Sequence, residues 1–301
     1  MELKGRKVGV IMGGTSSERE VSLRSGWAVL KALRKKGIEA IPLEVGEDLV
    51  QQVISSGIEV AFVALHGKGG EDGTVQGLLE LLRIPYTGSG VLASALAMNK
   101  VKAKKIFAAC SIPTPESVLW RQGVAIPFPP PWVVKPASQG STIGLSVVRE
   151  ESQLQEAVSE ALRYDQEVFI ERFVPGKELT VALLDGRTLE VIEIAPKEGI
   201  YDYRAKYTPG MTEYLIPAPI SPEARSQAQK LAQRAYEALG CSGCARVDMR
   251  MDSGGRIWVL EVNTIPGMTA TSLVPKAAAY EGMSFEDLVL EILKGASLKG
   301  G

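Results

Sequence analysis

The chain has 301 residues, 45% of them hydrophobic, with 34 Lys and Arg against 35 Asp and Glu for a net charge of −1. At roughly 150 residues per core that length points to about two domains. The balanced charge excludes a general electrostatic pull toward nucleic acid or an anionic membrane, so an anionic substrate must be met by locally placed lysines and arginines. No apolar run approaches the roughly 18 residues of a membrane span, which leaves the cytoplasm as the expected compartment.

Residues 7–12 predict a short apolar strand, and Gly13 and Gly14 close it at once, so the start does not read as a targeting leader. A turn over 13–17 and a helix over 18–36, stopped by Gly37, follow. Strands over 38–45 and 60–65 and helices over 48–55 and 74–82 continue the rhythm, with a polar loop over 66–73. This alternation predicts a parallel sheet covered by helices on both faces. One long helix over 91–109 then leads into a different pattern, broken at Ile112-Pro113-Thr114-Pro115. The proline-rich stretch 121–131 predicts a rigid loop. Strands over 132–136, 145–148 and 167–173, a Gly/Ser loop over 137–144 and a helix over 151–164 make a compact α+β unit.

The last part opens with a hairpin, 178–184 and 189–195, around Asp185-Gly186. Residues 197–212 are polar and too long for an ordinary connection. A helix over 222–239, a strand pair over 245–251 and 256–262, and two short helices close the chain. The three cysteines are Cys110, Cys241 and Cys244. The Cys241/Cys244 spacing suits half a zinc site, but no second pair exists, so small buried residues are expected rather than a metal or a disulfide framework.

The most informative stretch is 246–263. Side chains on a strand repeat with period two, so Arg246 and Asp248 share a face, as do Glu261 and Asn263. A two-residue turn at Gly254-Gly255 places Asp248 opposite Glu261 and Arg246 opposite Asn263; a four-residue turn shifts the register but keeps the same faces together. Two carboxylates and an amide oxygen on one surface are hard-ligand chemistry suited to Mg²⁺, with phosphates completing the shell. A merely solvated face accounts less well for the Asn beside the Glu and the pinned turn 264–268. Lys135 ends an apolar strand before the 137–144 loop, an arrangement able to fold over a triphosphate with Lys135 and Lys100 as point charges. It is neither a Walker loop nor a G-x-G-x-x-G.

Several long motifs occur in order: GGTSSEREVS over 13–22, ALHGKGGEDGT over 64–74, PYTGSG over 85–90, KPASQGSTIG over 135–144, YDYRAKY over 201–207, RVD over 246–248, EVNTIPGM over 261–268 and SLVP over 272–275. On these the chain resembles the D-alanine–D-alanine ligases of the ATP-grasp superfamily over essentially its whole length. The resemblance implies an ATP-grasp fold of mixed α/β and α+β type in three domains. These are an N-terminal Rossmann-like domain over 1–92, a central lid over 93–177 and a C-terminal catalytic domain over 178–301.

It also implies a two-step reaction for cell-wall (peptidoglycan) precursor synthesis. ATP phosphorylates the carboxylate of the first D-alanine, and the amine of the second attacks the acyl phosphate. Two Mg²⁺, for which Mn²⁺ can substitute, neutralise phosphate charge. A homodimer is expected on the same ground.

The resemblance further implies residue roles. Asp248, Glu261 and Asn263 hold metal, with Glu261 bridging. Arg246, with a backbone N–H near Gly267, stabilises the tetrahedral intermediate. Lys100, Lys135 and Lys206 meet phosphates. Glu18, Ser141 and Tyr207 form a network that meets the first D-alanine and closes the 198–212 loop, and His66 lies near that substrate. Ser272 and Leu273 meet the second carboxylate. Glu171, Arg172 and Val174 face adenine, and Glu178 the ribose. Taken singly, Glu18 is also what a helix dipole favours, and His66, Ser141 and Tyr207 are ordinary loop residues. The chain departs from the pattern in its short proline-rich segment before Lys135, which bears on lid mobility. It also has Arg172 where a Lys is often found. A D-Ala–D-lactate or D-Ala–D-Ser ligase is the runner-up, although Tyr207 favours an amine as second substrate. A non-catalytic nucleotide-binding relative and a different ATP-grasp ligase are the remaining alternatives.

Overall fold

In this computed structural model the residues described are 5–197, 208, 210–269 and 271–300. They form three sheets. The first is parallel, in the order β2-β1-β3, from β1 (Val8–Gly13), β2 (Ala40–Val45) and β3 (Val60–Val63). Every residue of β1 and β3 is buried, as the continuous apolar runs of a strand covered on both faces require. Helices α1 (Arg19–Lys35) and α2 (Leu49–Ser56) are its connections, and α3 (Thr74–Leu81) follows β3. α1 lies so close to β1 that a Cβ added at Gly26 would come within 2.5 Å of the Met12 Cβ, so only glycine permits this contact.

The single helix expected over 91–109 is two helices, α4 (Val91–Met98) and α5 (Lys100–Ala109). Asn99 between them is extended, and its side chain accepts from the Lys102 N–H as the N-cap of α5. Periodicity cannot register such a break, because both halves are good helix formers; an Asn that prefers to cap decides it. The break turns Lys100 toward the following loop, whose Ala137 carbonyl accepts the Lys100 backbone N–H at 2.9 Å.

The second sheet is antiparallel, in the order β4-β7-β5-β6: β4 (Ser117–Leu119), β5 (Trp132–Pro136), β6 (Ser146–Val148) and β7 (Val168–Arg172). The amphipathic segment 151–164 is a short 3₁₀ turn followed by α6 (Leu154–Ala161), which packs Val158 against Trp132, Val134 and Ile170. Strand β4 was not expected. It is three residues long and partly exposed, which leaves little alternation to read.

The third sheet runs β11-β10-β8-β12-β13, from β8 (Lys177–Leu184), β10 (Ile192–Pro196), β11 (Thr212–Leu215), β12 (Cys244–Met251) and β13 (Ile257–Asn263). The short β9 (Arg187–Thr188) pairs with β8. The expected partner strand 189–195 is therefore found as β10, starting three residues later, and β9 and β11 are further strands the sequence did not announce. Helix α7 (Pro222–Ala238) covers one face, packing Leu231, Ala232 and Ala235 against Val181, Val247, Met249 and Val259. The closing helices α8 (Leu273–Tyr280) and α9 (Phe285–Lys294) share a core with β1 and α1. Since Val247 and Met249 point to α7, period-two alternation leaves Arg246, Asp248 and Arg250 on the opposite face.

Candidate active site

On that open face β12 and β13 pair antiparallel with Arg246 opposite Asn263 and Asp248 opposite Glu261. The pairing is the one expected, but its cause differs. The turn closes with the Asp252 N–H donating to the Arg256 carbonyl at 3.0 Å, and Gly255 sits at φ +81°. Beyond Asp248/Met249 the register is offset by one, with Met249 opposite Val259, so Leu260 is the extra residue of a bulge. The longer turn and the bulge cancel.

Arg246 grips Asp248 with two bonds, Nε to Oδ1 at 2.9 Å and Nη2 to Oδ2 at 2.7 Å, and the Thr180 hydroxyl on β8 adds a third at 2.7 Å. Lys100 Nζ lies 3.2 Å from Glu261 and donates to the Gln139 carbonyl at 2.7 Å. Asn263 accepts the Ile265 N–H at 2.9 Å and so starts the 264–268 turn. Among the described residues no three His, Cys, Asp or Glu side chains group closely enough to hold a metal on their own. The donor set of Asp248, Glu261 and Asn263 is still of the kind Mg²⁺ takes, because Mg²⁺ uses one or two carboxylates and draws the rest of its shell from water and phosphates. The residues present fit the ion.

Two cavities meet at this surface. The first is lined by Lys100, Lys135, the 139–143 loop, residues 171–174, Glu178, Asp248 and Glu261. Glu171 is 2% exposed and is held between two lysines, Lys135 at 2.8 Å and Lys104 at 2.5 Å. Burial alone would raise the Glu171 pKa, but the two cations outweigh it and hold the carboxyl below its usual range. Burial likewise pulls Lys104 below the usual lysine range, although Glu171 opposes the shift. Lys135 also stands over the Phe169 ring at 5.3 Å. Arg172 stacks over Trp258 at 5.1 Å and reaches Glu116 at 3.5 Å. Glu178 is met by Arg250 at 3.2 Å, and Arg250 also donates to the carbonyls of Val174 and Gly176.

The second cavity is lined by Glu18, His66, Glu71, Arg246, Asn263, Gly267, Ser272 and Leu273, and it shares Lys100, Gly140, Ser141 and Glu261 with the first. Ser141 donates its hydroxyl to Glu18. A Cβ at Gly140 would stand 2.7 Å from Glu18 Oε2, so any larger residue there would have to push this carboxylate aside. Ser141 and Thr142 take positive φ of 52° and 64°, the kind of local strain that costs about 1–3 kcal/mol and clusters at functional sites. His66 Nδ1 is 3.2 Å from Glu71 and its Nε2 is 3.3 Å from Ser25. Ser272 accepts the Thr269 N–H at 3.0 Å at the entrance to α8. Lys206 and Tyr207 lie outside the described residues.

Each expected site residue that is described lines one of the two cavities, or both. Lys104, Arg250, Thr180, Glu71 and Ser25 were missed. Arg250 had a signal, since it continues the alternation of Arg246 and Asp248. Lys104 and Ser25 had none, because a Lys or Ser on a helix gives no hint that it faces inward.

Model matches to known families fall in two stretches, described as the D-ala D-ala ligase C-terminus over residues 116–294 and the D-ala D-ala ligase N-terminus over 47–89. The D-alanine–D-alanine ligase of Syntrophotalea carbinolica is 54% identical over 301 residues, covering 99% of this chain and 98% of that one. A crystal structure of the Bacillus anthracis D-alanine–D-alanine ligase complexed with ATP aligns with TM-score 0.84 at 35% identity, over 97% of each chain. The VanG D-Ala:D-Ser ligase of Enterococcus faecalis aligns with TM-score 0.85 at 31% identity, over 97% of this chain and 99% of that one.

Proposed function

The chain belongs to the D-alanine–D-alanine ligase family, with its ATP-grasp fold and ATP-dependent ligase activity, and from that premise we propose how its residues carry the reaction. The observation that supports the reading is the junction of two cavities at Lys100, Gly140, Ser141 and Glu261. A nucleotide in the first and amino acids in the second would bring a terminal phosphate and a carboxylate together at that wall.

ATP enters beside Lys135 and Lys100, with adenine near Glu171, Arg172 and Val174 and the ribose at Glu178. Lys206 joins the phosphate clamp. Asp248, Glu261 and Asn263 are the residues that would hold two Mg²⁺, or Mn²⁺, which neutralise phosphate charge when bound. In the second cavity Glu18 takes the ammonium of the first D-alanine, with His66 nearby. Ser141 and Tyr207 tie Glu18 to the closing loop, which excludes water that would hydrolyse an acyl phosphate. The first D-alanine's carboxylate oxygen takes the terminal phosphoryl group and ADP leaves. The amine of the second D-alanine, placed by Ser272 and Leu273 at its carboxylate, then attacks the acyl carbon. Arg246 and the Gly267 N–H face the oxygen on which charge develops, and inorganic phosphate departs.

The division into units 1–92, 93–177 and 178–301, assembly as a homodimer and a cytoplasmic location belong to the same proposal. No helix among the described residues is long and apolar enough to cross a membrane.

The test is a coupled assay of ADP release with D-alanine as the sole amino acid, together with mass detection of the dipeptide. Dipeptide formation from D-alanine alone is the expected result. A requirement for D-serine or D-lactate would move the chain to the ester- or serine-forming branch, and nucleotide binding without turnover would sink the enzymatic reading.

A further inference from the structure

We propose that Ser25 is a positioning residue, its hydroxyl linking the ring of His66 to the backbone turn that carries Gly267. The inference rests on the reading above, in which the Gly267 N–H faces the developing oxyanion. Ser25 lies inside α1, 1% exposed, and its Oγ makes two contacts across the seam between the first and third sheets. It accepts the Met268 N–H at 3.1 Å and lies 3.3 Å from His66 Nε2. On the other side of the ring, Nδ1 stands 3.2 Å from Glu71 Oε1, which also accepts the Gly67 N–H at 3.2 Å. Glu71, His66 and Ser25 are all buried.

Proton arithmetic orders this chain. An ionised carboxylate only accepts, so the proton facing Glu71 sits on Nδ1. In the neutral ring Nε2 is then an acceptor, and among the described residues the proton facing it is the Ser25 hydroxyl's. The Met268 amide can only donate, which agrees, because it uses a lone pair of Oγ and leaves that proton free for the ring. The direction therefore runs from Met268 N–H to Ser25, from Ser25 O–H to Nε2, and from Nδ1–H to Glu71. With Nε2 occupied, His66 is not a free base for the substrate ammonium. It serves as the fixed end of a tether that holds the Gly267–Met268 peptide at one depth against the second cavity. A backbone donor acts on a transition state only when held within a few tenths of an ångström of the developing charge, so release of the tether costs kcat rather than nucleotide affinity.

His66 is the single histidine of the chain, so long-range nitrogen-15 correlation spectra of the full-length protein read its ring without ambiguity. The expected spectrum shows a protonated Nδ1 and an unprotonated, hydrogen-bonded Nε2, the reverse of the tautomer favoured by free histidine. Ser25→Ala is expected to shift the Nε2 resonance and lower kcat about tenfold, the rate equivalent of about 1.4 kcal/mol, with KM for ATP unchanged. Ser25→Cys, a weaker donor and acceptor of similar shape, is expected to fall between. A protonated Nε2 in the wild type, whether as the other tautomer or as the imidazolium, overturns the proposal. So does a folded Ser25→Ala with wild-type kcat. Should that variant not fold, the wild-type spectrum decides, and it does so whether or not D-alanine is turned over, so a failure of the ligase reading is seen separately.

Discussion

Asp248 and Glu261 stand directly opposite one another on the β12–β13 pair, and each is held by its own cation, Arg246 on Asp248 and Lys100 on Glu261. Like charges facing across a strand pair are destabilising, so the arrangement persists because cations are built in beside it. The two positions are not equivalent. Arg246 meets Asp248 with two bonds and is 15% exposed at its side chain, whereas Lys100 faces Glu261 at 3.2 Å and also donates to the Gln139 carbonyl. Glu261→Gln is therefore expected to fold normally and lose at least about 10²-fold in kcat, through loss of preorganised electrostatics. Asp248→Asn is expected to lose as much and also to lower the unfolding midpoint, because a largely buried guanidinium loses the carboxylate charge it meets with two bonds. ADP-release kinetics beside thermal unfolding check both. Near-normal turnover in either variant would remove the metal assignment.

Glu171 owes its ionised state to Lys104 and Lys135. Lys104 also donates to the Thr114 hydroxyl and the Pro115 carbonyl, so it anchors the entrance to β4 as well as the carboxylate. Lys104→Met leaves Glu171 buried with one cation fewer, a change of the kind that costs about 3–5 kcal/mol. The pH dependence follows from the depressed Glu171 pKa. The carboxyl ionises more readily folded than unfolded, so its contribution is present above the ordinary 4.5 and is lost as pH falls through the lower folded value. Wild type is expected to keep more of its stability than the variant from neutral pH down to that region, and melting curves at stepped pH measure the difference. Curves that stay parallel would mean Lys104 does not hold the carboxylate.

Two of the three cysteines are shielded by burial. Burial pushes the Cys241 thiol up to about 11 and Cys244 up to about 12, while Cys110 is exposed. The thiolate is the reactive form. One of the three thiols is expected to react with a disulfide reagent in the native protein at neutral pH, and all three after unfolding. A raised pKa gives stability that is whole below the unfolded value of 9.0 and fades as pH climbs toward the folded ones. Alkaline destabilisation beginning above that value is expected to shrink in a Cys241→Ala, Cys244→Ala double variant.

How far the sequence could be read depends on what each residue answers to. The faces of β12 and β13 were legible because period-two alternation needs no partner: Arg246 and Asp248 lie together whatever the turn does. The exact pairing of Asp248 with Glu261 was reached from a turn the protein does not use, and it survives only because a longer turn at Gly255 is offset by a bulge at Leu260. The split of residues 91–109 at Asn99 was illegible to periodicity, since both halves are helical in character. Lys104 and Ser25 were illegible for a deeper reason. Their roles are set by residues 67 and 243 positions away, Glu171 and Met268, and no local pattern carries such contacts. The parts of the site that motifs carried, Glu18 with Ser141 and Lys135 with its loop, lie close together in the fold.

Asn99 does two separable things. Its Oδ1 accepts the Lys102 N–H and caps α5, and its Nδ2 donates to Glu167 at 3.0 Å, next to the 137–139 loop onto which Lys100 is folded. Asn99→Ala removes both and is expected to cost about 1 kcal/mol for the cap. It is also expected to raise KM for ATP several-fold, because Lys100 is no longer steered into the junction of the two cavities. Asn99→Ser keeps a capping oxygen and drops only the Glu167 link, so it is expected to recover most of the stability and little of the nucleotide affinity. Equal recovery of both by Asn99→Ser would show that capping alone sets the direction of Lys100, and that the tie to Glu167 is incidental.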